Sequence, residues 1–246
     1  MRINHFIASA GICSRRKADE MVKAGMIKVN HIIIREVGLE ISLTDIVEVN
    51  KSGTWSIIST PTTTVTYAVN KPAGYTSTAE DRFAKNLVID LAPKNPRVFT
   101  IGRLDKDSEG LILLTNDGEL TNRLTHPSNH VSKTYIATIG IPPKYDINQI
   151  ATNLSKLESG VFIDDRKTAP SKINILHPVN KQSHTFEVKI VLSEGRNRQI
   201  RKMFQKIGLN VLKLNRIAIG KLELNSLKIA SGKYKVLNSK ELSLLK

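Results

Sequence analysis

The sequence predicts an α+β protein in two parts, a small α/β domain followed by a larger domain built on a mixed, mostly antiparallel sheet. Three observations predict this. Two short helical stripes and several short strands fill the first 50 residues. A polar stretch at 59–66 separates them from the rest. Beyond it, strand-like segments outnumber helical ones and do not alternate strictly with them, which argues against a doubly wound sheet. The 246 residues are 40% hydrophobic, enough for a core, and only 5% aromatic, so that core is aliphatic.

In the first part Ile3, Phe6, Ile7 and Ala10 recur at i, i+3, i+4, i+7, one face of a helix that Gly11 ends. Ser14 is an N-cap for a second helix, whose stripe of Ala18, Met21 and Val22 runs to Gly25. Strands follow at 27–29, 32–34 and 46–49, with Asn30-His31 as a hairpin turn. Arg15, Arg16 and Lys17 stand in the first turn of the second helix, where bases oppose the macrodipole but can join exposed N–H groups in holding a phosphate. A solvated helix start is the plainer reading. Residues 51–66, with Lys51-Ser52-Gly53 and Ser59-Thr60-Pro61-Thr62-Thr63-Thr64, read as linker-like. We place the first domain at 1–58, the linker at 59–66 and the second domain at 67–246. In the second, strands are expected at 67–70, 97–101, 111–115, 134–139, 173–176, 185–192 and 211–214. Helices are expected at about 84–91, 118–125, 146–155 and 196–207.

The single cysteine, Cys13, excludes a disulfide framework and a Cys-rich zinc site. No signal pattern and no apolar run of membrane-spanning length is present, so a soluble, cytoplasmic protein without a membrane partner is expected. Nothing points to an oligomer, and a monomer is the expectation. Lys and Arg number 37 against 22 Asp and Glu, a net +15. From Gly195 to Leu222 the bases are Arg196, Arg198, Arg201, Lys202, Lys206, Lys213, Arg216 and Lys221, with no acid between them. A solvated surface would intersperse the signs, so nucleic acid is the expected partner.

The chemistry concentrates at Gly102-Arg103-Leu104-Asp105-Lys106-Asp107-Ser108-Glu109-Gly110, directly before the apolar run Leu111–Leu114. A buried strand can hold a carboxylate at a cleft rim, and the flanking Arg103 and Lys106 favour the charged form of Asp105, as a base or nucleophile requires. A charged turn is an equal reading on this motif alone. A calcium loop is not, because Asn116 stands where a bidentate Glu is needed. Period two puts Lys133 and Tyr135 on one strand face, where the tyrosine can stack on a base or simply pack across strands. After Gly195, Arg196 and Arg198 near a helix start can reach phosphates. Ile200, Met203, Phe204 and Ile207 form a core-facing stripe, and Arg201 beside it needs a carboxylate partner if buried.

Residues 2–50, with the basic second helix, the Val29-Asn30 turn and the late Val47-Glu48-Val49 strand, resemble the S4 RNA-binding module, apart from His31 where that module usually has Gly. Gly102-Arg103-Leu104-Asp105 before an apolar strand, Lys133-Thr134-Tyr135 and Gly195-Arg196-Asn197-Arg198-Gln199-Ile200-Arg201 resemble the RsuA/RluB/RluE/RluF group of pseudouridine synthases. Asn70-Lys71-Pro72-Ala73-Gly74 resembles that group's first motif, and the likeness covers essentially the whole chain. It implies an S4-like domain before a catalytic domain and isomerisation of uridine in ribosomal RNA, with large-subunit RNA favoured and small-subunit RNA or tRNA as alternatives. It implies Asp105 as the catalytic aspartate, Arg103 as the residue that displaces the target nucleotide, Tyr135 packing on the uracil, and Ile200 as a pocket wall. It also implies that Arg201 pairs with Asp105. No cofactor or metal is implied, because the reaction is a redox-neutral rearrangement. The alternative of another class is a non-catalytic RNA-binding protein of ribosome assembly.

Overall fold

The computed structural model describes residues 1–42, 44–60, 63–78, 84–180 and 182–245. Pro61 and Thr62, in the expected linker, lie outside them. The chain forms two compact units. One holds Met1–Val65 together with Asn95–Val98 and Asn116–Gly118, and the other holds the remainder.

In the first unit α1 (Ile3–Ser9) and α2 (Arg15–Lys23) cover a four-stranded antiparallel sheet of β1 (Ile27–Val29), β2 (Ile32–Ile34), β3 (Val47–Lys51) and β4 (Thr54–Ile57), in the order β2-β1-β3-β4. The helical stripes supply the core: Ile3, Ile7, Ala18 and Val22 are fully buried against Ile27, Val47 and Val49. Ser14 caps α2, its hydroxyl accepting the Lys17 amide at 3.3 Å. Asn30 and His31 both adopt positive φ, +51° and +66°. A two-residue turn that matches strand twist needs this, so His31 takes the conformation that Gly would give more easily. Lys51-Ser52-Gly53 is no linker but the hairpin between β3 and β4, with Ser52 and Gly53 at φ +51° and +91°.

The second unit is built on a sheet ordered β11-β12-β8-β13-β7-β5-β15. Its elements are β5 (Thr66–Lys71), β6 (Phe99–Ile101), β7 (Glu109–Thr115), α3 (Gly118–Thr125), β8 (Lys133–Gly140), α4 (Ile150–Glu158), β9 (Phe162–Ile163), β10 (Arg166–Lys167) and β11 (Lys172–Asn180). There follow β12 (Thr185–Leu192), α5 (Gln199–Lys206), β13 (Asn210–Ile219), β14 (Leu222–Glu223), α6 (Leu224–Leu227), β15 (Tyr234–Val236) and α7 (Ser239–Ser243). Strand β6 pairs with β7 and β14 with β13, while β9 and β10 form a separate hairpin. Among the described residues, only β7 and β13 run parallel in the pairs of the main sheet. Leu111, Ile112, Leu113 and Leu114 are each fully buried, as a central strand covered on both faces requires.

Three helices differ from expectation. The helix expected at 84–91 is a single 3₁₀ turn, Val88–Leu91. Residues 86–88 instead bond across to Thr76: its amide donates to the Asn86 carbonyl and its own carbonyl accepts from Val88, both at 3.0 Å. The helix at 146–155 begins as a 3₁₀ turn and runs on to Glu158. The helix at 196–207 starts only at Gln199, because its N-cap, Arg198, has φ +51°.

Gly110, the second residue of β7, has φ +104° and pairs with Arg216 of β13. A Cβ there would collide with the Asn215 side-chain oxygen and the Arg216 backbone. Gly110→Ala is therefore expected to destabilise the fold by about 3 kcal/mol or more, since both the backbone strain and the parallel pairing must be relieved. Chemical denaturation of the purified variant measures it.

Candidate active site

The loop between β6 and β7 carries Asp105, and its backbone is tied down at several points. The amide of Ser108 donates to the Asp105 carbonyl at 3.1 Å. The buried Ser77 hydroxyl donates to the Leu104 carbonyl at 2.7 Å and accepts the Leu104 amide at 3.1 Å. Gly74, in the Asn-Lys-Pro-Ala-Gly motif, donates its amide to the Lys106 carbonyl at 2.7 Å. Beneath them lies Lys71, fully buried at the end of β5. Its ammonium donates to the carbonyls of Ser108 (2.6 Å), Pro72 (3.0 Å) and Lys106 (3.4 Å). Burial pushes the Lys71 pKa down to about 8, against a smaller upward pull from Asp107, Glu109 and Asp105. From β13 comes Arg216, 3% exposed, whose Nε donates to the Leu111 carbonyl at 2.7 Å and whose Nη1 donates to that of Arg103 at 3.3 Å.

This loop presents Asp105 to a cavity of about 320 Å³, within the range of small-ligand sites. Its walls include Arg103, Tyr135, Ile200 and Leu214. The lining holds five bases (Arg103, Lys133, Arg196, Arg198 and Arg216) and, among the described residues, one acid, Asp105. Lys133 and Tyr135 both face it, as the period-two reading expected. Tyr135 is paired across the sheet with Arg216, and Lys133 with Ile219.

The ion pairs correct the sequence reading. Arg201 does not pair with Asp105. Its Nη2 lies 3.0 Å from the Asp107 carboxylate, and its Nη1 donates to the Val211 carbonyl at 2.6 Å. The base nearest the Asp105 carboxylate is Arg198, at 3.9 Å, and Arg198 also reaches Asp107 at 3.2 Å. The physical reason is helix phase: Arg201, in the first turn of α5 with a side chain only 14% exposed, meets the outer carboxylate of the loop. Arg198, in the left-handed turn before the helix, faces the cavity. Arg196 and Arg198, which the sequence reading places within reach of phosphates, each also have partners within the chain. Arg196 donates to the carbonyls of Arg166 (3.0 Å) and Ile163, fastening the β9–β10 hairpin. Lys202 fastens the same hairpin through Asp164 at 2.6 Å.

Arg15 and Arg16 are exposed at the start of α2, and Lys17 pairs with Glu20 at 2.9 Å. Two residues of the site carried no assigned role in the sequence reading. Lys71 lies in the Asn70–Gly74 motif, and its signal is a cation at a core-facing strand position followed by proline. Arg216 sat in the basic run, and its signal was an arginine at period two between Leu214 and Ala218.

The chain matches the RNA pseudouridylate synthase family over residues 65–206 and the S4 domain over residues 1–47. It is 41% identical over 228 residues to the ribosomal large subunit pseudouridine synthase B of Bacillus subtilis, covering 92% of this chain and 88% of that one. The chain belongs to the RNA pseudouridylate synthase family. An RNA pseudouridine synthase of Aquifex aeolicus is 34% identical over 248 residues, covering all of this chain and 93% of its own. A crystal structure of a pseudouridylate synthase superposes with a TM-score of 0.67 at 26% identity, covering both chains completely. The synthase is thus an RNA-modifying isomerase with an S4 domain at its N-terminus and a mostly antiparallel catalytic fold. Among its described residues no helix is long and apolar enough to cross a membrane.

Proposed function

We propose that the synthase converts a uridine of large-subunit ribosomal RNA to pseudouridine in the cytoplasm, with Asp105 acting on a base turned out of its stem. The observation that carries this reading is Asp105 itself, the one acid among five bases in the cavity lining of the described residues. The choice of large-subunit RNA rests on the name of the Bacillus subtilis relative. The N-terminal domain, read as residues 1–58, acts in holding the RNA.

The rearrangement breaks the bond between N1 and C1′ and joins C5 to C1′. C5 gives up its hydrogen and N1 gains one, so no external redox partner or cofactor is consumed. Asp105 supplies the carboxylate, and its fixed backbone means that little reorganisation is needed when substrate arrives. Tyr135 packs on the uracil and Ile200 closes the wall. Arg103, exposed on the loop next to Asp105, fills the place the base leaves, which offsets part of the few kcal/mol that unstacking costs. Arg201 and Arg198 act through Asp107, tying the loop to α5.

Release of tritium from large-subunit RNA labelled at uridine C5 tests this reading. Wild type is expected to release one equivalent per site, and no release from ribosomal RNA would overturn it. A companion result tests the N-terminal domain. Replacing Arg15 and Arg16 together by alanine is expected to raise KM, to leave kcat within about twofold, and to lower the salt slope of RNA binding by up to about two. Titrations at several salt concentrations check it.

A further inference from the structure

The cavity floor carries two cations with no carboxylate against them among the described residues. Lys133 and Arg216 project from neighbouring strands on the face that carries Tyr135. Neither makes an ion pair among the described residues. Arg216 is 3% exposed, and its Nη2 is buried with no hydrogen-bond partner among those residues. Lys133 is half-buried. Its pKa is lowered first by burial and then by the charge of Arg216, which places the two cations within electrostatic reach of each other. The one carboxylate of that lining among the described residues, Asp105, lies 3.9 Å from Arg198. Two close, partly dehydrated cations without a counter-anion are costly in a resting protein, unless a ligand brings negative charge to them.

Resting on the proposed function, we propose that Lys133 and Arg216 are catalytic residues that bind the carbonyl oxygens of the target uracil and stabilise the negative charge that forms on the base. Each route open to a single carboxylate makes that charge. If Asp105 attacks C1′, the N1–C1′ electron pair stays on the base and spreads over N1, O2 and O4. If the base leaves by elimination across the sugar, the same anion forms. If Asp105 adds to C6, the displaced pair becomes an enolate at O4. After attack at C1′, C5 displaces Asp105 from C1′. After elimination, in which Asp105 takes the C2′ proton, that proton returns to C2′ as C5 bonds to C1′. After addition to C6, the N1–C1′ bond breaks as C5 bonds to C1′, and the C6 link to Asp105 then breaks. In each case the C5 proton goes to solvent and N1 gains one. Charge appears on O4 only as the reaction proceeds. Cations held there in advance by β8 and β13 therefore favour the transition state over the bound substrate.

The alternative for such a pair is a backbone phosphate, and the test separates the two. Single-turnover rates with saturating enzyme, and RNA dissociation constants, are measured for Lys133→Met and Lys133→Arg on a large-subunit RNA transcript. A matching transcript made with 5-fluorouridine is used beside it. Lys133→Met is expected to lower the saturating rate by about 100-fold, to change the dissociation constant by less than about threefold, and to be at least about tenfold restored in Lys133→Arg. With 5-fluorouridine, read as its loss from nuclease digests, the defect is expected to shrink to about tenfold, because fluorine itself stabilises the base anion. A wild-type saturating rate with weakened binding and a salt slope lower by about one would mean a phosphate contact and overturn the proposal. An equal defect on both transcripts, not restored by arginine, would mean a structural role and also overturn it. Thermal melts of both variants identify misfolding, and Lys133→Arg carries the same question if Lys133→Met does not fold. No product from wild type would remove the proposed function, and this assignment with it.

Discussion

Asp105→Asn is expected to bind RNA as wild type does and to form pseudouridine at least about 10³-fold more slowly. The substitution keeps the side chain's size, removes the charge and exchanges one acceptor oxygen for an amide donor. The bonds that shape the loop use the backbone of residues 103–108, not the Asp105 carboxylate. Stability should therefore change by less than about 1 kcal/mol. Loss of activity with unchanged melting then reports chemistry rather than folding. Asp105→Ala controls for any return of aspartate by deamidation. Product at near-wild-type rate from purified Asp105→Ala would remove the aspartate from the mechanism.

The second large effect belongs to Lys71, and it separates activity from stability. Its ammonium offers three N–H groups to three carbonyls. The neutral amine offers two, so deprotonation frees one loop carbonyl. With its pKa pushed down to about 8 from 10.5, the folded chain loses this proton well before the unfolded chain does. Below about pH 8 both states hold it. Between about pH 8 and 10.5 the unfolded chain binds more protons, so this group's contribution to stability rises with pH, by up to about 3 kcal/mol. Activity should move the other way and fall above about pH 8 as the Asp105 loop loosens. Lys71→Met is expected to lose about 10- to 100-fold in rate at every pH and to lack that alkaline limb. It leaves buried carbonyls unpaired at about 1–3 kcal/mol each, while relieving the buried charge. Single-turnover rates between roughly pH 6 and 10, beside melts at the same pH values, check both halves. A wild-type rate that stays flat through this range, or a Lys71→Met variant that keeps the limb, would contradict it.

Much of this architecture is legible in the chain because the patterns that declare it are local. The stripes of α1 and α2, the Asn30-His31 turn and the continuous Leu111–Leu114 run each encode one element within a few residues. What escaped depends on distant partners. Strand β4 has only Trp55 and Ile57 as apolar residues and is exposed along much of its length, so little marks it before β3 is beside it. The helical pattern near 84–91 gives way to backbone bonds with Thr76, which no window of ten residues contains.

The site divides in the same way. Asp105, Tyr135, Ile200 and Arg103 were identifiable by residue type and motif, and all four line one cavity. The partner of Arg201 was not, because Asp105 and Asp107 are two residues apart and sequence cannot say which one the helix phase selects. Lys71 and Arg216 look like ordinary strand cations in the sequence. Their meaning comes from the carbonyls that sit opposite them once β5, β7 and β13 are assembled.

The most direct test of the account is pseudouridine mapping by carbodiimide labelling and primer extension, on ribosomal RNA from cells with and without the synthase. The account predicts that one stop in large-subunit RNA disappears with the protein and returns with wild type but not with Asp105→Ala. Unchanged large-subunit RNA, or a stop restored equally by Asp105→Ala, would contradict it.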